Sequence, residues 1–261
     1  MSGIRHSQMM LPYDETGSGD AVILLHAGVV DRRMWSEHLE PLAAAGYRAV
    51  AMDLPGFGEA IPSAGPSMPW ADVLGTMDAL EIERATLVGN SFGGAVALRV
   101  AALAPQRVRS VVLISIPVPG LEPSTELEAA WEAEEAALER EDVEAAVEAV
   151  IDAWLIDDAP TALRERVATM QRRALELQRN AGEVTEGDDP VGEDLGAISG
   201  LDMPALVIAG AEDFSDFVRG SEVLAGALPQ ARLVVIDNAG HLAPLETPEA
   251  FRALLLDFLT E

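Results

Sequence analysis

Short runs of apolar residues alternate with longer segments of helical spacing over most of the chain. The short runs predict buried strands, and segments with apolar residues every three or four positions predict helices. The predicted strands are 21–25, 47–54, 85–89, 108–116, 205–210 and 231–237. The predicted helices between them are 34–45, 70–80, 92–104, 216–227 and 247–259. Because the strands are mainly apolar, the alternation predicts an α/β fold with a mostly parallel sheet that helices cover on both faces.

Two segments depart from this alternation. Residues 13–19 end in a Gly-rich turn and predict antiparallel edge strands before the first parallel strand. Residues 117–200 are rich in Glu and Ala and predict three amphipathic helices, 124–140, 143–155 and 161–180, with a polar loop over 182–196. We therefore predict that 117–200 is a helical insertion in a core formed by 1–116 and 201–261.

The charge balance narrows the choice of partners. The chain carries 44 acidic and 17 basic residues, a net charge of -27, and every basic residue is Arg. A surface of this sign repels phosphates and anionic headgroups, so neither nucleic acid nor a membrane is an expected partner. No Cys is present, and no run reaches the roughly 18 apolar residues of a membrane span or looks like a secretory signal. We expect a cytoplasmic protein.

Candidate chemistry begins at a G-x-S-x-G pentapeptide, Gly89-Asn90-Ser91-Phe92-Gly93. It follows a predicted strand and opens a predicted helix. A serine in such a sharp turn needs small neighbours two residues before and after it, where backbone passes closely. The turn places the hydroxyl at a helix N-terminus, where backbone N–H groups favour developing negative charge. Ser91 is therefore the candidate nucleophile.

A serine nucleophile needs a base, and a base needs an orienting acid. Of the four histidines, we expect His6 and His38 at the surface, whereas His241 follows the last predicted strand in a loop. The site of an open α/β sheet lies beyond such strand ends. Asp213 follows the strand 205–210 and is the candidate acid, while Asp216 could cap the next helix.

Four segments resemble the α/β-hydrolase superfamily. They are Leu24-Leu25-His26-Ala27-Gly28, Asp53-Leu54-Pro55-Gly56-Phe57-Gly58, Val88-Gly89-Asn90-Ser91-Phe92-Gly93-Gly94 and Ala239-Gly240-His241-Leu242. The chain order Ser, Asp, His also matches that class. The resemblance implies an eight-stranded type of sheet, with residues 117–200 forming a helical cap over the site.

The resemblance also implies an oxyanion hole. Its donors are the backbone N–H of Phe92 and that of Gly28, with Val29 as the alternative to Gly28. One departure is Ala27, where relatives usually have Gly, since Ala has less backbone freedom. We interpret His26 as a structural residue that holds this loop, and Asp53 as a turn anchor.

The sequence predicts a serine hydrolase that acts on small carboxylic esters or lactones through an acyl-enzyme. Alternatives are a cofactor-free perhydrolase or a C–C bond hydrolase with the same triad, and a ligand receptor that keeps the triad without catalysis. No cofactor or metal is implied by the motifs. The insertion has 22 acidic residues and six Arg between positions 120 and 200, a charge run that is usual on solvated helix faces. The alternative is that it forms an acidic entrance, which disfavours anionic substrates and suits neutral or cationic esters. Pocket candidates are Val29, Trp131, Trp154, Leu155, Met170 and Leu242.

Overall fold

A computed structural model describes residues 10–192 and 195–261. Its strands, in chain order, are β1 Tyr13–Gly17, β2 Asp20–Leu25, β3 Tyr47–Met52, β4 Gly65–Ser67, β5 Ala85–Asn90, β6 Val108–Ile114, β7 Val184–Glu186, β8 Ala205–Gly210 and β9 Ala231–Ile236. Its helices are α1 Ser36–Ala44, α2 Pro69–Ala79, α3 Phe92–Leu103, α4 Thr125–Glu139, α5 Val143–Trp154, α6 Thr161–Arg179, α7 Ser215–Ala227, α8 Ala243–Glu246 and α9 Pro248–Leu259.

The main sheet has the strand order β1-β3-β2-β5-β6-β8-β9. Every neighbouring pair is parallel except β1 with β3, which confirms the mostly parallel sheet. Two expectations need correction. Within the described residues the sheet has seven strands, not eight, and a single antiparallel strand, β1, precedes β2. In the sheet, β3 lies between β1 and β2. The turn at Gly17 therefore carries the chain from β1 past the start of β3 to β2.

The five central strands, β2, β3, β5, β6 and β8, contribute alternate side chains to two apolar layers. Ile23 and Leu25 of β2 face one layer with α2 and α3, whereas Val22 and Leu24 face the other with α1 and α9. Residues of these central strands are buried on both faces, as a parallel sheet requires, whereas the edge strands β1 and β9 are partly exposed. The carboxyl ends of β2, β5, β8 and β9 therefore meet at one edge, where the loops that follow them can form a site.

The helices α4, α5 and α6 all lie within the predicted insertion, and we call them the cap helices. Their N-termini follow local sequence: the Ser124 hydroxyl accepts the N–H of Leu127 at 3.2 Å, and Asp142 accepts that of Ala145 at 3.1 Å. Their apolar sides pack together and onto the core layer that includes Val22 and Leu24. None of the helices in the described part of the chain is long and apolar enough to cross a membrane. The boundaries of the insertion stay a prediction.

A two-stranded parallel sheet, which we did not predict, joins β4 of the core to β7 beyond the cap helices. These strands have three residues each, and β4 includes Gly and Pro, so sequence periodicity could not reveal them.

The expectation of a surface position is wrong for His38, which is fully buried on α1. Its ring packs edge-on against Phe251 of α9, with centroids 5.1 Å apart, and its Nε2–H donates to the Pro244 carbonyl at 3.0 Å. The helical face that carries His38 is covered because α9 folds back against α1. His6 lies outside the described residues.

Candidate active site

Ser91 lies at the turn from β5 into α3, as the pentapeptide predicts. Its backbone has a φ of 50° and a ψ of -116°, an unusual conformation for a residue with a side chain. Such strain costs on the order of 1–3 kcal/mol and persists only where surrounding contacts impose it. Here the Ser91 N–H donates to the Ile114 carbonyl of β6 at 2.7 Å, and the Ser91 carbonyl accepts the Ala95 N–H at 2.9 Å.

The two glycines of the pentapeptide are required by close backbone approach. A Cβ on Gly89 would overlap the backbone of Gly93 and Gly94, and a Cβ on Gly93 would overlap the carbonyl oxygens of Leu25 and His26. The turn therefore closes only with glycine at both positions, and α3 begins directly against the end of β2.

Asp213 and His241 meet at the carboxyl ends of β8 and β9. Both Asp213 oxygens lie 3.1 Å from His241 Nδ1, so the ring donates its Nδ1–H to the carboxylate. Both side chains are buried, the imidazole with 3% exposure. The Phe214 N–H also donates to Asp213 Oδ1 at 2.8 Å, which fixes the carboxylate. This arrangement selects the tautomer that leaves Nε2 free to accept a proton.

Asn90 connects the serine turn to the loop of the histidine. Its side-chain amide donates to the His241 carbonyl at 3.1 Å and to the Ile114 carbonyl at 3.2 Å. Ser91 is therefore held next to the histidine loop, although the described hydrogen bonds include none from Ser91 Oγ to the imidazole. Hydrogen bonds between a nucleophile and its base are often made only when substrate is bound.

The predicted oxyanion donors lie side by side. A Cβ placed on Gly28 would lie 3.5 Å from the Phe92 Cβ, so the loop after β2 runs next to the start of α3. Phe92 is the first residue of that helix, whose first N–H groups have no partner within the helix. Ala27 fits this loop without strain, since its φ is not positive and its methyl group is buried in the apolar core.

His26 holds the loop, as we interpreted it. Its Nδ1–H donates to the Ala27 carbonyl at 2.8 Å, and its Nε2 accepts the Leu54 N–H at 2.9 Å. The ring is therefore neutral, and burial lowers its pKa. Asp53 anchors the neighbouring turn, since it accepts the N–H groups of Arg32 at 2.9 Å and Glu59 at 2.8 Å and pairs with the Arg32 guanidinium.

Two of the pocket candidates lie over the site. The Trp154 ring, at the end of α5, has its centroid 4.4 Å from that of His241. Val29 packs against the apolar cluster of Trp154, Leu127, Val150 and Phe217. Within this cluster, Trp154 is the cap residue whose ring contacts the imidazole.

The other pocket candidates take different positions. Leu155, Met170 and Leu242 are buried in the apolar layer between the sheet and the cap helices, and Leu155 also lines a cavity beside the Asp213–His241 pair. Trp131 does not reach the site, because it lies on the outer face of α4 with 46% exposure. Helical spacing alone does not show which face of a helix meets the core.

Sequence reasoning missed two residues of the site. The Phe217 ring lies 4.4 Å from His241 on the α7 side, and its spacing of three or four residues from Asp213 and Phe214 was an available signal. The Glu246 carboxylate accepts the N–H of Gly240, directly before His241, at 2.7 Å. A lone carboxylate after the apolar run 242–245 was the signal for it. Among the described residues, no group of three or more acidic or His side chains could hold a metal ion.

Comparisons with known proteins identify the family. A model of the alpha/beta hydrolase family matches residues 22–254. The chain is 30% identical to the 2-hydroxy-6-oxononadienedioate/2-hydroxy-6-oxononatrienedioate hydrolase 2 of Pseudomonas putida, over 96% of this chain and 92% of that one. It is 31% identical to the 2-hydroxy-6-oxo-6-phenylhexa-2,4-dienoate hydrolase of Burkholderia cepacia, over 97% and 92%. The solved structure of an enol-lactonase from Burkholderia xenovorans is similar with a TM-score of 0.79 and 25% identity, over 96% of each chain.

The chain therefore belongs to the alpha/beta hydrolase family. It is an enzyme, a serine hydrolase by its family and its fold.

Proposed function

We propose that this enzyme hydrolyses small carboxylic esters or lactones through an acyl-enzyme on Ser91. One observation carries the proposal: the strained Ser91 turn is bonded through Asn90 to the loop of a histidine that Asp213 orients. These are the components that activate a hydroxyl for attack on a carbonyl.

In this mechanism His241 Nε2 takes the Ser91 hydroxyl proton while Oγ attacks the carbonyl carbon. The oxyanion receives hydrogen bonds from the N–H groups of Phe92 and of Gly28 or Val29. Asp213 stabilises the imidazolium, which then protonates the departing alkoxide. Water, deprotonated by His241, attacks the acyl carbon, and the carboxylic acid leaves as Ser91 regains its proton. In a lactone the alcohol and the acid remain in one product.

The charge around the site supports a neutral or cationic substrate. A cavity of about 510 Å³ lies beside Asp213 and His241, between the end of α5 and the loop after β8, on a side of the base that Ser91 does not line. Glu126, Asp152, Asp157 and Glu212 also line it, and its lining residues include no Arg. A carboxylate substrate would approach this surface against its charge.

A second candidate is the hydrolysis of a C–C bond in a ketone. The relatives at 30% and 31% identity favour it, since their names give dienoate and dienedioate substrates. Such substrates carry carboxylates, which the acidic cavity disfavours. We therefore place esters and lactones first, and the enol-lactonase of similar structure supports that order.

The test compares p-nitrophenyl esters, lactones and a 2-hydroxy-6-oxo-dienoate on the wild type and on Ser91→Ala. We expect ester or lactone turnover to exceed dienoate turnover, and Ser91→Ala to lose on the order of 10⁴-fold or more in kcat. A fluorophosphonate should label Ser91, and the exposed Ser63→Ala variant should behave as the wild type. Normal turnover by Ser91→Ala would refute the mechanism. Faster dienoate cleavage would favour the second candidate, and an unlabelled, inactive wild type would favour a ligand receptor.

A further inference from the structure

Glu246 lies outside the three residues of the proposed mechanism, but its carboxylate joins two segments that meet at His241. Its Oε2 accepts the N–H of Gly240 at 2.7 Å, and its Oε1 accepts the N–H of Ile156 at 2.9 Å. Gly240 directly precedes His241 in the chain. Ile156 follows Trp154 by two residues, and the Trp154 ring lies against the imidazole. We call residues 237–242, the loop that carries His241, the base loop. A single side chain therefore connects the base loop of the core to the segment just after α5.

The space around this carboxylate is closely filled. A Cβ on Gly240 would lie 3.1 Å from the Ile156 Cγ2 and 3.3 Å from Glu246 Oε1. The preceding residues, 242–245, are buried, and Glu246 itself is half-buried. Both N–H groups therefore need an acceptor within the protein, and an ionised carboxylate accepts two such bonds well. Few other side chains could satisfy both.

The charge of Glu246 also bears on the imidazole. Burial raises the pKa of this carboxyl, and the nearby His241 acts in the opposite direction. Its negative charge therefore lies near the ring that becomes positive when His241 takes the Ser91 proton.

We propose that Glu246 is a positioning residue that couples the seating of the cap helices to the orientation of His241. This inference rests on the function proposed above, since it concerns the base of that mechanism. When the end of α5 is in place, Glu246 holds Gly240 and the imidazole faces Ser91. When the cap helices move away, the Ile156 bond is lost and the base loop loses one of its supports.

A second carboxylate, Asp216, allows the two halves of this inference to be separated. Asp216, at the start of α7, accepts the Ser124 N–H at 2.6 Å and the Ser124 hydroxyl at 2.7 Å. It therefore binds the start of α4. The expectation that Asp216 caps its own helix, α7, is wrong. Its hydrogen bonds do not reach the base loop. Asp216→Asn weakens a cap contact alone, whereas Glu246→Gln weakens a cap contact and the base loop together.

The experiment compares Glu246→Gln and Asp216→Asn with Glu249→Gln, an exposed carboxylate on α9 that serves as the matched control. A glutamine at 246 presents its NH₂ to one of the two N–H groups and can accept only the other. We measure kcat and KM per Ser91 site titrated with fluorophosphonate, the rate of that labelling, and hydrogen–deuterium exchange over 143–160 and 238–246. Titration per site removes the effect of unfolded protein. Glu246→Asp, which keeps the charge but has a shorter reach, replaces Glu246→Gln if that variant does not fold.

Glu246→Gln should lower kcat and the labelling rate by about 10- to 100-fold and speed exchange in both segments, because small misplacements of a base cost that much. Asp216→Asn should mainly raise KM, and Glu249→Gln should match the wild type. Equal kcat in Glu246→Gln and Glu249→Gln overturns the inference. A change in KM alone, as in Asp216→Asn, also overturns it, because Glu246 would then serve only the cap. A wild type that is not labelled contradicts the proposed function itself.

Discussion

The Ser91 turn and the cap helices contribute to the same site through different kinds of contact. At the turn, main chain meets main chain: Gly93 lies against the carbonyls at the end of β2, and the Ser91 N–H donates to β6. At the cap, side chains make the contacts. Trp154 packs on His241, Asp216 binds Ser124, and Glu246 binds Ile156.

This difference determines which residues of the site can be substituted without moving the backbone. The turn has no room for an added methyl group at its glycines, so its residues cannot change without moving the backbone. The contacts of the cap can be replaced one at a time while the sheet and the Asp213–His241 pair remain. In the function proposed above, the turn carries the nucleophile, and we expect the cap helices to select the substrate.

The largest effect on stability and activity should come from removing the contact between Trp154 of α5 and His241. Trp154→Ala should lower the free energy of unfolding by about 3–5 kcal/mol, as for other buried aromatic residues. It should also lower kcat/KM, because the imidazole loses the ring that lies 4.4 Å from it. Trp131→Ala is the matched control, since Trp131 also lies in the cap helices. Its side chain is 46% exposed, so its stability should stay within about 0.5 kcal/mol of the wild type.

Denaturant unfolding and steady-state kinetics of the two tryptophan variants, under conditions where both are folded, decide the point. If Trp131→Ala lost as much activity as Trp154→Ala, the outer face of α4 would belong to the site.

A smaller effect is expected at the turn, where Gly93→Ala forces backbone apart. The new methyl group would overlap the carbonyl oxygens of Leu25 and His26, at a cost of about 1–3 kcal/mol in the free energy of unfolding. The loss in kcat/KM, expressed as a free energy, should exceed the loss in unfolding free energy. The reason is that the same shift moves Ser91 and the adjacent Phe92. Gly226→Ala is the control, since a Cβ there has no neighbour within 4 Å and lies in α7. It should be neutral or slightly stabilising.

Thermal unfolding and ester kinetics of both glycine variants check this prediction. A Gly93→Ala enzyme as active as Gly226→Ala would mean that the turn tolerates the movement, and the distinction between turn and cap would fail.

The same distinction explains how much the sequence could predict. The turn is local, so the pentapeptide, read with the strand before it and the helix after it, predicts it. The order of Ser91, Asp213 and His241 matches the class that the four segments resemble. The position of Trp131 depends on which face of α4 meets the core, and that is decided by segments distant in the chain. Phe217 packs on Trp154 of α5, and Glu246 accepts the N–H of Ile156 just after that helix. Their local patterns could mark both residues but could not show these distant partners. His38 is buried for the same reason, by α9.

The smallest expected effect is on the pH dependence of the unfolding free energy, and a substitution of His38 tests it. Burial lowers the pKa of His38, and the nearby Arg252 acts in the same direction. The folded protein therefore binds fewer protons at this ring than the unfolded chain does. Its contribution to stability is complete above the unfolded pKa of about 6.5 and is lost as the pH falls toward the lower, folded value. His26, whose pKa burial also lowers, acts with the same sign.

Unfolding free energies of the wild type and of His38→Gln, measured between about pH 8 and pH 5.5, test this sign. The glutamine amide can still donate to the Pro244 carbonyl, but it does not titrate. Wild-type stability should fall with decreasing pH, and the fall should be shallower in the variant. Glu246 and Glu134 have pKa values raised by burial, so they oppose the trend as the pH approaches the carboxyl range, but they do so equally in both proteins. Parallel curves would show that His38 is protonated as readily in the folded protein as in the unfolded chain, and that α9 does not exclude water from it.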